Sequence, residues 1–435
     1  MNSSNTFILT FGDKLKAIRV KYNLRQDEIS GQDITRNLIS EIETNKANIT
    51  KKTAEIIIKN LNAIARKKHF KVTETIEYLL ESELEQANKV IDKYISELRA
   101  LVVCKDDSFV KELKETEEFL INWDIRDKKI VIYELAGDYF YNQNDFYKSV
   151  NYYERALELI NKAEVTETLL ALLRKLSMVY TYVDNYKESV KCCEFALEHF
   201  KDMTNEYSVV FLYNSGLGYK KLGDWDKALE KLNQAENLVD RNDLNKMFKI
   251  KNVKANCLYR MSLFQDSLYN FNELLVIYKN DLEKQVHIRI NMISNYIKLN
   301  DTKEINKNLE ILTKDLPKIN ANNSYISEFY HETGKIYKYL SEEKLEEEYY
   351  IKALELCEKQ KNCSLFYKIV YDLIELYTKL NNTSKMLEVK NKILAMANKY
   401  EQINEKVIIF LIAFYSKNND NNVVNELASF LLKLI

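Results

Sequence analysis

The chain has 435 residues, with 64 Lys+Arg against 65 Asp+Glu and a formal charge of −1, room for two or three domains of balanced charge. One proline and seven glycines are too few to punctuate strands and tight turns, so an all-α fold is expected. No run of about 18 apolar residues could span a membrane, and Phe7 to Phe11 is too short for a secretory signal, which predicts a cytoplasmic chain without a membrane partner.

Residues 1–70 hold 13 Lys+Arg against 7 Asp+Glu, about +6, which leaves the remainder near −7. A basic head on an acidic body suits contact with phosphates, because counterion release needs local rather than total positive charge. Phe11, Leu15, Ile18 and Tyr22 repeat at helical spacing for a first helix. Leu24 to Lys46 then reads as a short helix opening at Gln26, a turn at Gly31 to Asp33, and a second helix from Thr35. Ile29, Ile34, Ile39 and Ile42 would lock that pair together. Thr35, Arg36, Asn37, Ser40 and Glu41 face the other way, short or forked polar side chains able to reach base edges in a major groove. Leu38 beside them could touch a thymine methyl. A fourth helix follows a Thr50 cap, with Ala54, Ile57, Ile58 and Leu61 inward. A helical hairpin with a merely solvated basic surface is the alternative reading.

Residues 12–61 resemble the XRE (Cro/repressor-like) helix-turn-helix family. The resemblance implies a phosphate contact for Gln26, base-reading roles for Thr35, Arg36, Asn37 and Ser40, and a phosphate-facing role for Lys46. Arg25 stands where that family has a Ser or Thr cap, and Thr44-Asn45 where it has Arg-Gly. Asparagine tolerates the left-handed conformation that glycine supplies, so the turn is expected to survive.

Residues 71–125 read as linker and dimerisation helices, with an ordinary packed helix at the body's edge as an equal alternative. Ile76, Leu80, Leu84, Ala87, Ile91, Ile95, Leu98 and Val102 form one unbroken apolar stripe, which predicts a single helix from about Thr73 to Val103. A second helix is expected over Asp107 to Asn122. Residues 126–435 are self-similar. Gly137, Ser177, Gly216, Ala255, Ile293, Gly334, Ile374 and Ile412 as equivalent positions give steps of 40, 39, 39, 38, 41, 40 and 38. The stretches from Glu134, Lys175 and Asn214 each carry a small residue, an aromatic three later, a helix-ending Asn or Asp, another aromatic, and then small residues on a second helix. That pattern implies tetratricopeptide repeats, with extra turns beyond the usual 34 residues or so. The last two units lose most small residues, as a terminal cap would, and Pro317 marks the end of one hairpin.

The six cysteines (104, 192, 193, 257, 357 and 363) lack metal-ligand spacing and read as reduced, mostly buried thiols. His69, His199, His287 and His331 lie far apart and no glycine loop could cradle phosphate, so no catalytic, cofactor or metal site is expected. The first helix of every unit should line a concave face. Its inward positions are Arg174, then Tyr213 and Asn214, then Asn252, Asn256 and Tyr259, then His287, Asn291 and Asn295. A side-chain amide has one acceptor and two donors, so such residues could hold an extended peptide main chain without reading its sequence. Lys220, Lys249, His331 and Lys335 could neutralise an acidic group on it or its terminal carboxylate. Solvated surface asparagines are the bland alternative.

An XRE-like head, a helical linker and a tetratricopeptide array together resemble the RRNPP family of peptide-pheromone receptors. The resemblance implies a right-handed repeat solenoid, a short signalling peptide gripped by Asn214, Asn252, Asn256 and Asn291, and a homodimer on double-stranded operator DNA with an inverted repeat. Two other functions stay open: repeat-based capture of a signalling protein, as in the family's Rap branch, and a plain dimeric repressor without a peptide ligand.

Overall fold

The structure, a computed structural model, describes residues 8–360, 362–400 and 404–432; Phe7 lies outside the described residues. It forms two compact units, Met1–Met203 and Thr204–Ile435. Among the described residues every regular element is a helix.

The first unit opens with α1 (Phe11–Lys21), α2 (Gln26–Ser30), α3 (Arg36–Glu43), α4 (Lys51–Lys68) and α5 (Ile76–Leu80). Thr10, Thr35, Thr50 and Thr75 cap α1, α3, α4 and α5, each side chain accepting the N–H three residues on. Leu15, Ile29, Ile39, Ile42, Ile57 and Leu61 are fully buried in one core, with Ile34 packed half-buried against it. Leu38 is half-buried and packs against that core as well. Asn45 has φ 55°, the left-handed conformation expected of it in place of glycine.

The stripe from Ile76 to Val102 does not form one helix. It divides at Ser82 into α5 and α6 (Glu83–Cys104). A capping box makes the break: the Glu85 N–H donates to Ser82 Oγ at 3.2 Å and the Ser82 N–H to Glu85 Oε2 at 2.7 Å. Leu79 belongs to the head core, whereas Ile91, Ile95 and Leu98 pack with Phe109 and Leu113 of α7 (Phe109–Asn122) and with Ile132 and Tyr139 of the next helix. The stripe expected to form a dimer contact is thus buried largely within the chain.

Helical hairpins follow. In the first unit they are α8 (Arg126–Asn142) with α9 (Phe146–Glu158), and α10 (Glu167–Tyr182) with α11 (Tyr186–His199). In the second they are α12 (Asn205–Leu222) with α13 (Trp225–Leu238), α14 (Leu244–Arg260) with α15 (Phe264–Ile277), and α16 (Leu282–Leu299) with α17 (Thr302–Asp315). A 3-10 turn at Leu316–Lys318, holding Pro317, ends the last of these. Then come α18 (Ile326–Leu340) with α19 (Glu343–Gln360), α20 (Cys363–Lys379) with α21 (Thr383–Tyr400), and α22 (Glu405–Lys417) with α23 (Asn421–Leu432).

Between the helices of each pair one residue has positive φ: Asn144, Asp184, Gly223, Ser262, Asn300, Ser341, Asn381 and Asn419. Each stands seven places after the reference position of its repeat, so the turns keep the register read from the sequence. The next residue often caps the second helix: Asp145, Asp224, Asp301 and Asn382 accept the N–H of Lys148, Lys227, Glu304 and Lys385. Small residues sit where the two helices cross. A Cβ at Gly137 would enter the ring of Tyr153, and Ser149 Oγ donates to the Gly137 carbonyl at 2.9 Å. Ser189 and Ser267 repeat that bond to Ser177 and Ala255 at 2.6 and 2.8 Å. Of the six cysteines Cys192, Cys193, Cys257 and Cys357 are buried, and burial pushes Cys192 and Cys357 up to about 12.

Candidate DNA-contacting surface and peptide groove

The head is organised around Glu43, a residue sequence reasoning passed over. It is buried at the end of α3 and accepts Arg19 Nε at 2.6 Å, Arg19 Nη2 at 3.1 Å and Gln26 Nε2 at 2.8 Å. That arrangement ties α1, α2 and α3 together. It also engages one donor of Gln26, the residue expected to reach a phosphate. Asn60 of α4 closes the other side, donating to the carbonyls of Ile29 and Ser30 at 3.0 and 3.1 Å just before Gly31, whose φ is +58°. No spacing in the sequence singles out Arg19, Glu43 or Asn60, because each looks like an ordinary solvated helix residue until its partner is known.

Against this frame α3 is two-faced. Ile39 and Ile42 are fully buried; Arg36 and Asn37 are exposed in its first turn. Thr35 is exposed and accepts the Leu38 N–H at 3.2 Å, which leaves its hydroxyl proton free to donate. Ser40 is half-buried, and Lys46 is exposed beyond the helix, its N–H bonded to the Glu41 carbonyl at 2.8 Å. The six candidate DNA residues thus lie on α2, α3 and the turn after it.

Arg174, the first candidate on the repeats, is exposed on α10 of the first unit. The others belong to the second unit. Tyr213 and Asn214 lie on α12, Asn252, Asn256 and Tyr259 on α14, and His287 and Asn291 on α16, all half-buried. They do not form a strict ladder. Asn214 and Asn291 fall two residues before the crossing position of their repeat, Asn252 three before it and Asn256 one after it. Nor are the amides idle. Asn256 Nδ2 donates to the Asn252 carbonyl at 2.8 Å, Asn291 Nδ2 to the His287 carbonyl at 3.0 Å, and Asn295 Nδ2 to the Asn291 carbonyl at 2.9 Å. Each folds back one turn along its own helix. The Nδ2 donors of Asn256 and Asn291 are thus engaged, and each side chain keeps its carbonyl oxygen as an acceptor. Asn295, expected to face inward, is 1% exposed and its Oδ1 has no partner among the described residues.

An aromatic cluster lies beside His287, which sequence reasoning missed because aromatics in repeats read as packing. The His287 ring lies 5.9 Å from Phe248 of α14 and 5.8 Å from Phe329 of α18, and burial lowers its pKa. Tyr325 lies against Phe329 at 6.3 Å. Burial raises the Tyr213 phenol, and Tyr325, three repeats further on, adds to the shift. Of the cations expected to meet an acidic group, Lys220 is half-buried; burial lowers its pKa, and Lys221 and Arg260 add to that. Lys249 and Lys335 are exposed. His331 is 1% exposed with Nε2 2.6 Å from Asp372 Oδ2, so it is committed to an internal carboxylate rather than open to a ligand.

No protein-family model and no curated protein matches the chain. Among solved structures it is similar to the apo form of RapI, at 13% identity over 79% of this chain and 97% of that one, TM-score 0.49. A signal transduction ATPase with a tetratricopeptide repeat sensor from Pyrococcus horikoshii matches at 16% identity, 82% of this chain and 54% of that one, TM-score 0.48. NprR in complex with its cognate peptide NprX matches at 13%, 78% and 99%, TM-score 0.43. At such identities and TM-scores the likeness carries no function across, and the repeat architecture stands on the helix pairs themselves.

Proposed function

We propose that this chain is a transcription regulator that binds operator DNA through α2 and α3 and is controlled by a short peptide held in the groove of α12, α14 and α16. The observation that carries the reading is the two-faced α3: buried isoleucines behind, exposed Arg36 and Asn37 in its first turn, and exposed Lys46 beyond it. The charge of about +6 in residues 1–70 supports it, since non-specific DNA affinity comes from cations near phosphates. Half-buried amides that keep a carbonyl acceptor, with aromatic rings beside His287, suit an extended peptide with one apolar side chain. Each chain has one such helix, and a single small head covers too little DNA for tight binding, so two chains on an inverted repeat complete the site.

The test is a mobility shift on DNA from upstream of the chain's own gene, with and without candidate short peptides. The reading expects a specific shift that a peptide strengthens or weakens and that Arg36→Ala with Asn37→Ala removes. A shift that survives both substitutions refutes the head as the DNA-contacting part.

A further inference from the structure

A cavity lies among later repeats of the second unit, lined by none of the candidate asparagines of α12, α14 and α16. It has a volume of about 480 Å³ and is walled by α18, α20 and the start of α22. Ser364, Tyr367, Lys368, Tyr371 and Asp372 line it from α20, and their spacing puts them on one helix face. His331 and Lys335 come from α18, Lys406 and Val407 from α22.

The charges in this cavity are unevenly satisfied. Asp372 is spoken for: His331 Nε2 holds Oδ2 at 2.6 Å, and Lys338 Nζ stands 3.8 Å from Oδ1. Lys335 has Glu332 at 2.7 Å one turn away along α18. Lys368 and Lys406 have no carboxylate partner among the described residues, and both line the same cavity. Both lysines are exposed, and from two different helices they offer an anion in the cavity two cationic contacts. The other wall is apolar: Tyr367 and Val407 are buried and Tyr371 presents its ring beside them. Cation and aromatic walls of this size suit a small group, not a folded partner.

We infer that this cavity binds a carboxylate carried next to an apolar side chain, with Lys368 and Lys406 on the carboxylate and Tyr367, Tyr371 and Val407 on the side chain. Two sources share that chemistry: the free end of a peptide reaching out of the groove, which rests on the function proposed above, and a free small carboxylic acid, which does not. A phosphate has the charge but no use for the apolar wall.

The experiment titrates the full chain with N-acetyl-phenylalanine, with its amide, and with a pool of five-residue peptides ending in phenylalanine as free acids and as amides, read by ligand-observed NMR. The free acids should bind about ten-fold or more tightly than the amides, as the loss of a charge-assisted contact implies. Lys368→Met with Lys406→Met should abolish the preference while leaving the melting temperature in place. Peptide acids that bind more tightly than the single residue identify the peptide source; equal affinities identify the free acid. Equal binding of acids and amides, no binding of either at millimolar concentration, or a preference that survives the double substitution overturns the inference. Lys303→Met, at an exposed lysine of α17 outside the cavity, serves as the control, because it should leave acid preference intact. A pocket that prefers acids while no peptide alters DNA binding would sink the receptor reading alone, and the converse would sink the pocket alone.

Discussion

The head and the groove of the second unit use polar side chains in opposite ways. In the head, structural and outward-facing polar groups are largely separate residues. Lys14, fully buried, donates to the carbonyls of Tyr78 and Glu81 at 2.9 and 2.7 Å and so ties α1 to the end of α5, while Glu43 and Asn60 hold α2 and α3. Arg36, Asn37 and Lys46 take no part in that framework. In the groove the two tasks fall on the same side chains, since Asn256 and Asn291 already donate to their own helices. On the proposed function, the head would meet DNA with its outward groups already separate from its framework, whereas in the second unit one amide would hold its own helix through Nδ2 and a peptide through its carbonyl.

The sharpest way to break that contrast is at Gly12. A Cβ there would overlap the Ile42 carbonyl oxygen, a backbone atom that cannot turn aside. Gly12→Ala should destabilise the head by about 3 kcal/mol, the upper range for overpacking, and abolish DNA binding. Peptide affinity should survive, measured by calorimetry on the same preparation. Equal loss of both would mean the head and groove are not separable.

Arg36→Ala and Asn37→Ala come next. Each should cost on the order of 1 to 3 kcal/mol of specific DNA affinity, with thermal melting unchanged because both side chains are exposed. A fall in melting temperature would place them in the framework and undo the separation.

A smaller effect belongs to acid. Burial pushes the Glu74 carboxyl up, but Lys21 Nζ at 2.5 Å and Tyr22 Oη at 2.6 Å outweigh it and hold it at about 2, against 4.5 ordinarily. The folded state therefore binds this proton less readily than the unfolded one. The contribution is complete above pH 4.5 and drains away as the pH falls toward 2. Glu74→Gln should flatten that part of the stability profile, by about 1 kcal/mol once screening of the exposed Lys21 is allowed for. An unchanged profile in urea titrations at pH 3 and 6 would remove the pair from the account.

The smallest effect on fold is expected in the groove. Asn256→Ala and Asn291→Ala each remove a half-buried acceptor, so peptide affinity should fall about ten-fold while stability barely moves.

Much of the repeat array was legible because its period is imposed by geometry that recurs. The left-handed turn residue, the following cap and the crossing position must keep their spacing for each hairpin to close. The isoleucines of α2 and α3 were legible for the same reason, one face of a helix being one core. What failed was the stretch around Ser82. Its apolar stripe keeps helical period across the break because α5 and α6 serve two cores in succession, and only the Ser82 to Glu85 capping box betrays the division. Lys14 was hidden too. A lysine is normally solvated, and its burial depends on α5 ending beside it, a long-range contact that no local pattern encodes. In the groove the amides were visible but their bonds were not, since a fold-back to the preceding turn competes with an outward pose at no cost in sequence.

The most direct test of the account is the effect of peptide on DNA affinity, measured on wild type and on Asn256→Ala with Asn291→Ala. A ligand can move DNA affinity only as far as it distinguishes the two arrangements of the protein. The account predicts that a peptide shifts the midpoint of operator binding in wild type. It further predicts that in the double variant the same shift needs about a hundred-fold more peptide, if the two losses add. An equal response of both proteins at every peptide concentration would contradict it.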